Sequence, residues 1–475
     1  MSLVNVGAAA HVATPDSKQK LRTRNSIGFN FTQRISHGFS HYTVSMSFRL
    51  VCVLAIFIST APAKTIVLKA ARLFDGKSNS VISPAVVVVT DTRITDIGAR
   101  LNVPPGAQVI DLGDATLLPG FMDAHTHLRG QRSDDSRQDR VDQLEQTVAE
   151  RALISATYAK TTLMTGFTTV RDLGGSDFVD VGLRNAINHG ITPGPRMLVA
   201  VRSIGTTGGH CDSTNGYRWG LLNPTEFYPN IANGPDGIRA AVRWDVKYGA
   251  DVIKVCATGG VLSLNDDVDS PQLTQEEMNA LVDQAHTMRR RTAAHAHGAE
   301  GAKRAIRAGI DSIEHGSFLD DEALRMMKEK GTFYVPTLMA VEGIRRRLAA
   351  GAKMDPRQER KARLAMDAID TTVRKAIAMG VRIALGTDAG VFNHGENIEE
   401  FHLLAEHGMK PIDALKAGTS VDAELLGISD RVGTLEAGKL ADIVAAPGNP
   451  LESIRQVEKV FFVMKEGTVY RNDSR

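Results

Sequence analysis

Apolar and polar positions divide the chain into three regions. Residues 64–116 carry short apolar runs at 65–68, 85–90, 93–97 and 108–111, punctuated by Asp75-Gly76 and Pro104-Pro105-Gly106. That is the spacing of a small β unit broken by turns. Similar runs return at 442–445, 459–465 and 468–470. Two β segments flanking a long middle predict one β-sandwich built from both chain ends, because unpaired strand edges seek partners.

In the middle, strand-like stretches at 117–125, 168–172, 196–201, 251–256, 292–297, 312–315, 332–337 and 382–388 alternate with helical ones. The clearest helices are 234–248, 274–291, 300–308, 320–330, 355–379 and 397–406. Thr274 and Glu277 make a capping box, and Gly309, Gly331 and Gly380 stand where helix C-terminal glycines belong. Such alternation predicts an α/β chain whose core is a (β/α)8 TIM barrel rather than an open sheet. The expected order is an N-terminal extension (1–63), the N-terminal half of the β-sandwich (64–116), the barrel (117–410), then terminal helices and the C-terminal half of the β-sandwich (411–475). In barrels of this kind the chemistry sits at the C-terminal ends of the strands.

Composition narrows the class. Hydrophobic residues at 43%, charged residues at 23% and a net charge of +2 describe an ordinary globular chain, with nothing that asks for nucleic acid or an anionic membrane surface. Residues 46–63 have a basic start, a short apolar core and a small-residue end at Ala61-Pro62-Ala63, the three regions of a secretory signal. The apolar run is about half of the ~20 residues that a membrane span needs. The expectation is an exported protein, periplasmic or secreted, cut after Ala63 and then free of the membrane; an uncleaved anchor is the alternative. Residues 1–45 read either as a transit peptide or as an upstream mis-assigned start. The three cysteines form no disulfide framework. Cys211 and Cys256 would remain after cleavage, and the chain is expected not to be stapled by them, with Cys256 a small core filler.

Candidate chemistry clusters at the predicted strand ends. His125 and His127 stand at i and i+2 of the first, so an extended backbone turns both imidazoles to one face, where a divalent metal is the natural object. The fifth strand ends in His295 and His297, the sixth in His315 and the eighth in Asp388. Buried polar groups at that density need partners, and a metal centre supplies them. Lys254 interrupts the apolar fourth strand, where an unpaired ammonium is costly. Either an acid pairs with it, or burial makes its amine neutral and carbon dioxide converts it to a carbamate, whose two oxygens can bridge two metals.

Pro119-Gly-Phe-Met-Asp-Ala-His-Thr-His127, Ile253-Lys-Val255, His295-Ala-His-Gly298, Ile313-Glu-His-Gly316 and Gly386-Thr-Asp-Ala389 together resemble the metal-dependent amidohydrolase superfamily. Within it the chain is similar to the imidazolonepropionase-like and Xaa-Pro dipeptidase branch, which also contains ochratoxin-hydrolysing amidohydrolases. The resemblance runs from Lys64 to about Tyr470. It implies two divalent ions, usually zinc: one on His125, His127 and Asp388, the other on His295 and His315, with N6-carboxylated Lys254 between them. The family's pattern at strand five places the ligand on His295 and leaves His297 to substrate. It further implies amide hydrolysis with Asp388 as proton shuttle, and a homo-oligomer.

The loop 205–218, Gly-Thr-Thr-Gly-Gly-His-Cys-Asp-Ser-Thr-Asn-Gly-Tyr-Arg, is long, glycine-rich and polar, as functional loops often are. In the dipeptidase branch a comparable Gly-Gly-His lies beside the metals, which points to His210. Tyr217 or Arg218 could bind a C-terminal carboxylate through charge-assisted hydrogen bonds. The expected substrates are N-acyl amino acids or dipeptides with a free carboxylate, ochratoxin among them. The alternatives are a ring-opening hydrolase or deaminase, against which Lys254 argues, and a catalytically dead binding protein, against which the full ligand set argues.

Overall fold

A computed structural model describes residues 64–218, 220–221 and 230–473, so the signal-like segment 46–63 lies outside the described residues. Strands from both chain ends share one core. A four-stranded sheet runs in the order Arg93–Gly98, Ala85–Thr90, Thr65–Ala70 and Gln108–Asp111. A five-stranded sheet runs Thr468–Asn472, Phe462–Lys465, Ile443–Pro447, Ala115–Pro119 and Arg72–Leu73. Leu68, Val87, Leu117, Ile443, Phe462 and Met464 pack in a single cluster. Val86 and Val88 belong to a separate cluster, the two-residue alternation of a pleated strand.

The central strands pair in parallel. Phe121–Thr126, Phe167–Asp172 and Arg196–Val199 form one sheet. Ser203–Ile204, Val252–Cys256, Arg291–Gly298, Ser312–Phe318 and Phe333–Val335 form another. Only residues 200–202 separate the last strand of the first from the first strand of the second. Helices intervene at Gly234–Lys247, Gln275–Thr287, Ala299–Ala308, Asp321–Lys330 and Pro356–Met379. The Thr274–Glu277 capping box forms, and Gly309, Gly331 and Gly380 end their helices in the left-handed conformation. Segment 397–406 opens as a 3-10 turn, Glu396–Glu399, before the helix Glu400–Glu406. Among the described residues no helix is long and apolar enough to cross a membrane.

Three expectations need correction. The stretch 117–125 is not one strand: Ala115–Pro119 pairs antiparallel with Ile443–Pro447, while Phe121–Thr126 belongs to a parallel sheet. Gly120 is the junction, and a Cβ there would overlap the side chain of Thr168. Gly120→Ala is expected to lower unfolding free energy by about 1–3 kcal/mol, the cost of overpacking, measured by denaturant titration; an unchanged midpoint would refute this tight junction.

Segment 382–388 is not a regular strand either. Tyr334 N–H donates to the Arg382 carbonyl (2.8 Å) and Ala384 N–H to that of Tyr334 (3.0 Å) on one side. On the other, Ala124 N–H donates to Leu385 (2.8 Å), Asp388 N–H to His125 (2.7 Å) and His127 N–H to Ala389 (2.8 Å). The segment is thus held from both flanks, but Asp388 has φ of 61°, which breaks the pleat. Finally, Cys211 and Cys256 are joined in a disulfide across 45 residues, a pairing that no local spacing announces.

Candidate metal centre

One cavity of about 460 Å³ is lined by His125, His127, His210, Lys254, His295, His297, His315 and Asp388. The parallel strands explain the convergence, because each places its C-terminal residues at the same end. Nε2 of His127 lies 3.2 Å and Nε2 of His125 3.6 Å from Asp388 Oδ1. Potential ligand atoms of His125, His315 and Asp388 all fall within 4.8 Å of one another. The His295 ring centroid is 4.6 Å from that of His315 and 4.9 Å from that of His297. His315, Thr337 and Asp388 all take left-handed φ values, 71°, 52° and 61°; strain of this kind gathers at functional sites.

Each imidazole has one nitrogen engaged by a group outside the candidate ligand set. His125 Nδ1–H donates to Glu314 Oε2 (2.9 Å), and Glu314 in turn accepts from Arg171 Nη2 (2.9 Å) and from the Ser312 hydroxyl. His127 Nδ1–H donates to the Gly174 carbonyl (3.3 Å). His315 Nδ1 is 2.8 Å from Thr337 Oγ1, and His297 Nδ1 is 3.0 Å from Ser317 Oγ. His295 is turned the other way: its Nε2–H donates to the Gly259 carbonyl (3.1 Å), which leaves Nδ1 with the lone pair. Outer partners of this kind fix the tautomer and the orientation of metal-binding histidines.

Burial sets the charges. It pushes His125 down to about 4 and His297 to about 3, and holds His295 and His315 well below the ordinary imidazole value. These rings are therefore neutral donors at pH 7. Burial pushes the Asp388 carboxyl up, but His125 and His127 outweigh it and hold it below the usual carboxylate range. Glu314 behaves likewise: burial raises it, Arg171 and His125 lower it further, and it ends at about 2. Burial brings the Lys254 ammonium down to about 8. Glu314 and Asp388 are near enough to favour its charged form, but burial outweighs them. The donor set of neutral imidazoles, one ionised carboxylate and a buried lysine whose ammonium is disfavoured fits a divalent-metal centre.

The remaining predicted residues separate. His210 stacks on His295 with centroids 4.2 Å apart, and its Nδ1 is 2.9 Å from Ser263 Oγ. Tyr217 is half-buried and Arg218 exposed, and neither lines the cavity. Sequence reasoning gave no role to Glu314, Arg171 or Asp123. Asp123 accepts from the His125 N–H (3.1 Å), the Thr387 N–H (3.0 Å) and Asn397 Nδ2 (2.8 Å), tying the first strand to the Asp388 segment. A signal was available: both acids interrupt apolar strands next to candidate ligands. Arg129, Arg132 and Arg151, which also line the cavity, carried no such signal.

Residues 116–471 match the amidohydrolase family. Ochratoxinase from Aspergillus niger is 32% identical over 439 residues, 88% of either chain. The structure of a Xaa-Pro dipeptidase with methionine bound in its active site superposes with a TM-score of 0.80 at 41% identity, covering 86% of this chain and 100% of the other. A prolidase in complex with N-methylphosphonate-L-proline gives 0.79 at 30% identity, over 86% and 100%. Family match and buried histidine–carboxylate cluster agree: the chain belongs to the amidohydrolase family and is a hydrolase of carbon–nitrogen bonds.

Proposed function

We propose that this hydrolase is a binuclear zinc enzyme that cleaves the amide bond of N-acyl amino acids or dipeptides carrying a free carboxylate. The observation that carries the reading is Lys254, buried in the same cavity as the candidate histidines and Asp388, where burial outweighs the nearby carboxylates and favours the neutral amine. His125, His127 and Asp388 would hold one ion and His295 and His315 the other, with carboxylated Lys254 between. When bound, such ions polarise a carbonyl and make water a stronger acid near neutral pH. The parallel pairings, with bridges from Thr126 to Ala389 and from Tyr334 to Ile383, support a (β/α)8 barrel beside a sandwich drawn from both chain ends.

The chain's own groups divide the work. Asp388, ionised and beside His127, takes a proton from the attacking water and returns it to the leaving nitrogen. His210 and His297 flank the reacting carbonyl. Arg129, Arg132 and Arg151 support a seat for the substrate carboxylate. Arg129 Nη1 and Arg151 Nη1 each lie 3.4 Å from Ser176 Oγ. Arg151 Nη2 pairs with Asp177 (3.1 Å), but its Nε is buried without a partner. Arg132 stands 3.7 Å from Asp139. A carboxylate entering there gains charge-assisted hydrogen bonds.

A library of dipeptides and N-acyl amino acids, each paired with its C-terminal amide, tests the reading. The acids should be turned over and the amides disfavoured; a preference for cyclic amides or amidines would overturn it. Arg151→Ala is expected to raise KM for the acids by about tenfold or more, since hydrogen bonds to charged groups contribute about 1.5–3 kcal/mol, while KM for the amides barely moves. Equal losses on both would remove the carboxylate from this seat.

A further inference from the structure

The Cys211–Cys256 disulfide lies in the wall of the catalytic cavity. Cys256 is two positions beyond Lys254 on the strand Val252–Cys256, hence on the same face, and pairs in register with His295 on the neighbouring strand. Cys211 directly follows His210. The Cα atoms are 5.8 Å apart, within the ordinary span of a disulfide.

The loop that carries His210 is otherwise fastened by hydrogen bonds. Gly205 N–H donates to Asn230 (2.8 Å) and Ala232 N–H to Gly205 (2.8 Å), closing its base. His210 N–H donates to Gln272 Oε1 (2.9 Å), and Asn230 Nδ2 to the Cys211 carbonyl (3.0 Å). Asp212 accepts from the N–H groups of Gly208 and Thr214, folding the loop on itself. Gly260 has no side chain to keep the His210 ring away; a Cβ there would overlap it. These ties, with the His210 Nδ1–Ser263 Oγ contact, fix the loop to itself, to residues 230–232 and to the 260–272 loop, whereas the disulfide fixes it to the strand that carries Lys254.

We propose that the Cys211–Cys256 disulfide positions His210: it holds the imidazole against His295 and sets how closely the loop covers a bound substrate. The inference rests on the cavity being the amide-cleaving site. Its first test needs no substrate. Peptide mapping of the full-length protein under non-reducing conditions should find the 211–256 cross-link, and hydrogen exchange in peptides covering 206–217 should quicken in Cys211→Ser and Cys256→Ser while other peptides keep their rates. With the best dipeptide from the library, each variant is expected to raise KM by about tenfold with kcat within about twofold, the mark of a loosened binding wall. The double variant should be no worse than either single one, because one bond is lost in all three. Should Cys256→Ser fail to fold, Cys211→Ser, at the half-buried end, carries the test. Free thiols at both positions in the native protein, unchanged loop exchange and KM, or additive losses would each overturn the proposal. Failure of the functional reading looks different: no amide is turned over by the native enzyme, while mapping and exchange still report the cross-link.

Discussion

Asp388→Asn is expected to lower kcat by about 10²–10⁴-fold, the range that a positioned acid–base group contributes, while bound metal falls far less. The carboxylate oxygen lies 3.2 Å from His127 Nε2 and 3.6 Å from His125 Nε2, so it faces the same object as those rings. Its neighbours outweigh burial and keep it ionised, as a base must be at neutral pH. Asparagine preserves size and one carbonyl oxygen but cannot take up a proton and release it. Its backbone also tolerates the left-handed φ of 61° found at this position better than most residues would, so the substitution tests chemistry rather than folding. Turnover and metal content need to be measured on the same preparation. Unchanged turnover would remove Asp388 from proton transfer, and a parallel fall of turnover and metal would reduce it to a ligand.

Much of this site is legible in the chain because its chemistry repeats at fixed places. Histidines in i, i+2 pairs on apolar runs stay on one face whatever the tertiary context, and parallel strands bring their ends together. Regular elements announced by periodicity and caps, such as the helix after Thr274, are found where the pattern puts them. What escaped depends on packing between distant segments. Gly120 divides one apolar run between two sheets because Thr168 crowds it, a contact that periodicity does not encode. Asp388 leaves the strand conformation with a φ of 61° although backbone hydrogen bonds hold its segment from both flanks, a local break that an apolar run does not encode. The Cys211–Cys256 link and the Arg129–Ser176–Arg151 cluster join segments whose proximity only the fold creates. Tyr217 and Arg218 show the converse: suitable residue types on the right loop, standing outside the cavity lining.

Lys254→Ala is expected to lower kcat/KM by about 10³-fold or more, roughly 4 kcal/mol at 1.36 kcal/mol per decade, with partial recovery when acetate or propionate is added. Burial brings the Lys254 ammonium down to about 8, so near neutral pH a fraction of it is free amine, the form that adds carbon dioxide. A carbamate built on that amine presents two oxygens, and a short carboxylic acid entering the space left by the side chain presents two oxygens as well. Lys254→Met fills the same space without oxygens, so it should lose activity equally and not respond to added acid. Stability separates this role from a structural one. At 3% exposure burial of the ammonium outweighs the nearby Glu314 and Asp388 and costs free energy, so in metal-free protein its replacement by an apolar chain of similar length should leave the unfolding midpoint equal or higher. A Met variant that unfolds more easily without metal would mean that the ammonium itself holds the fold, and an Ala variant with native turnover would end the bridging role of Lys254. Loss of activity in both variants, rescue by carboxylate in Ala alone, and an undiminished metal-free midpoint in Met form a combination that a merely structural lysine does not produce.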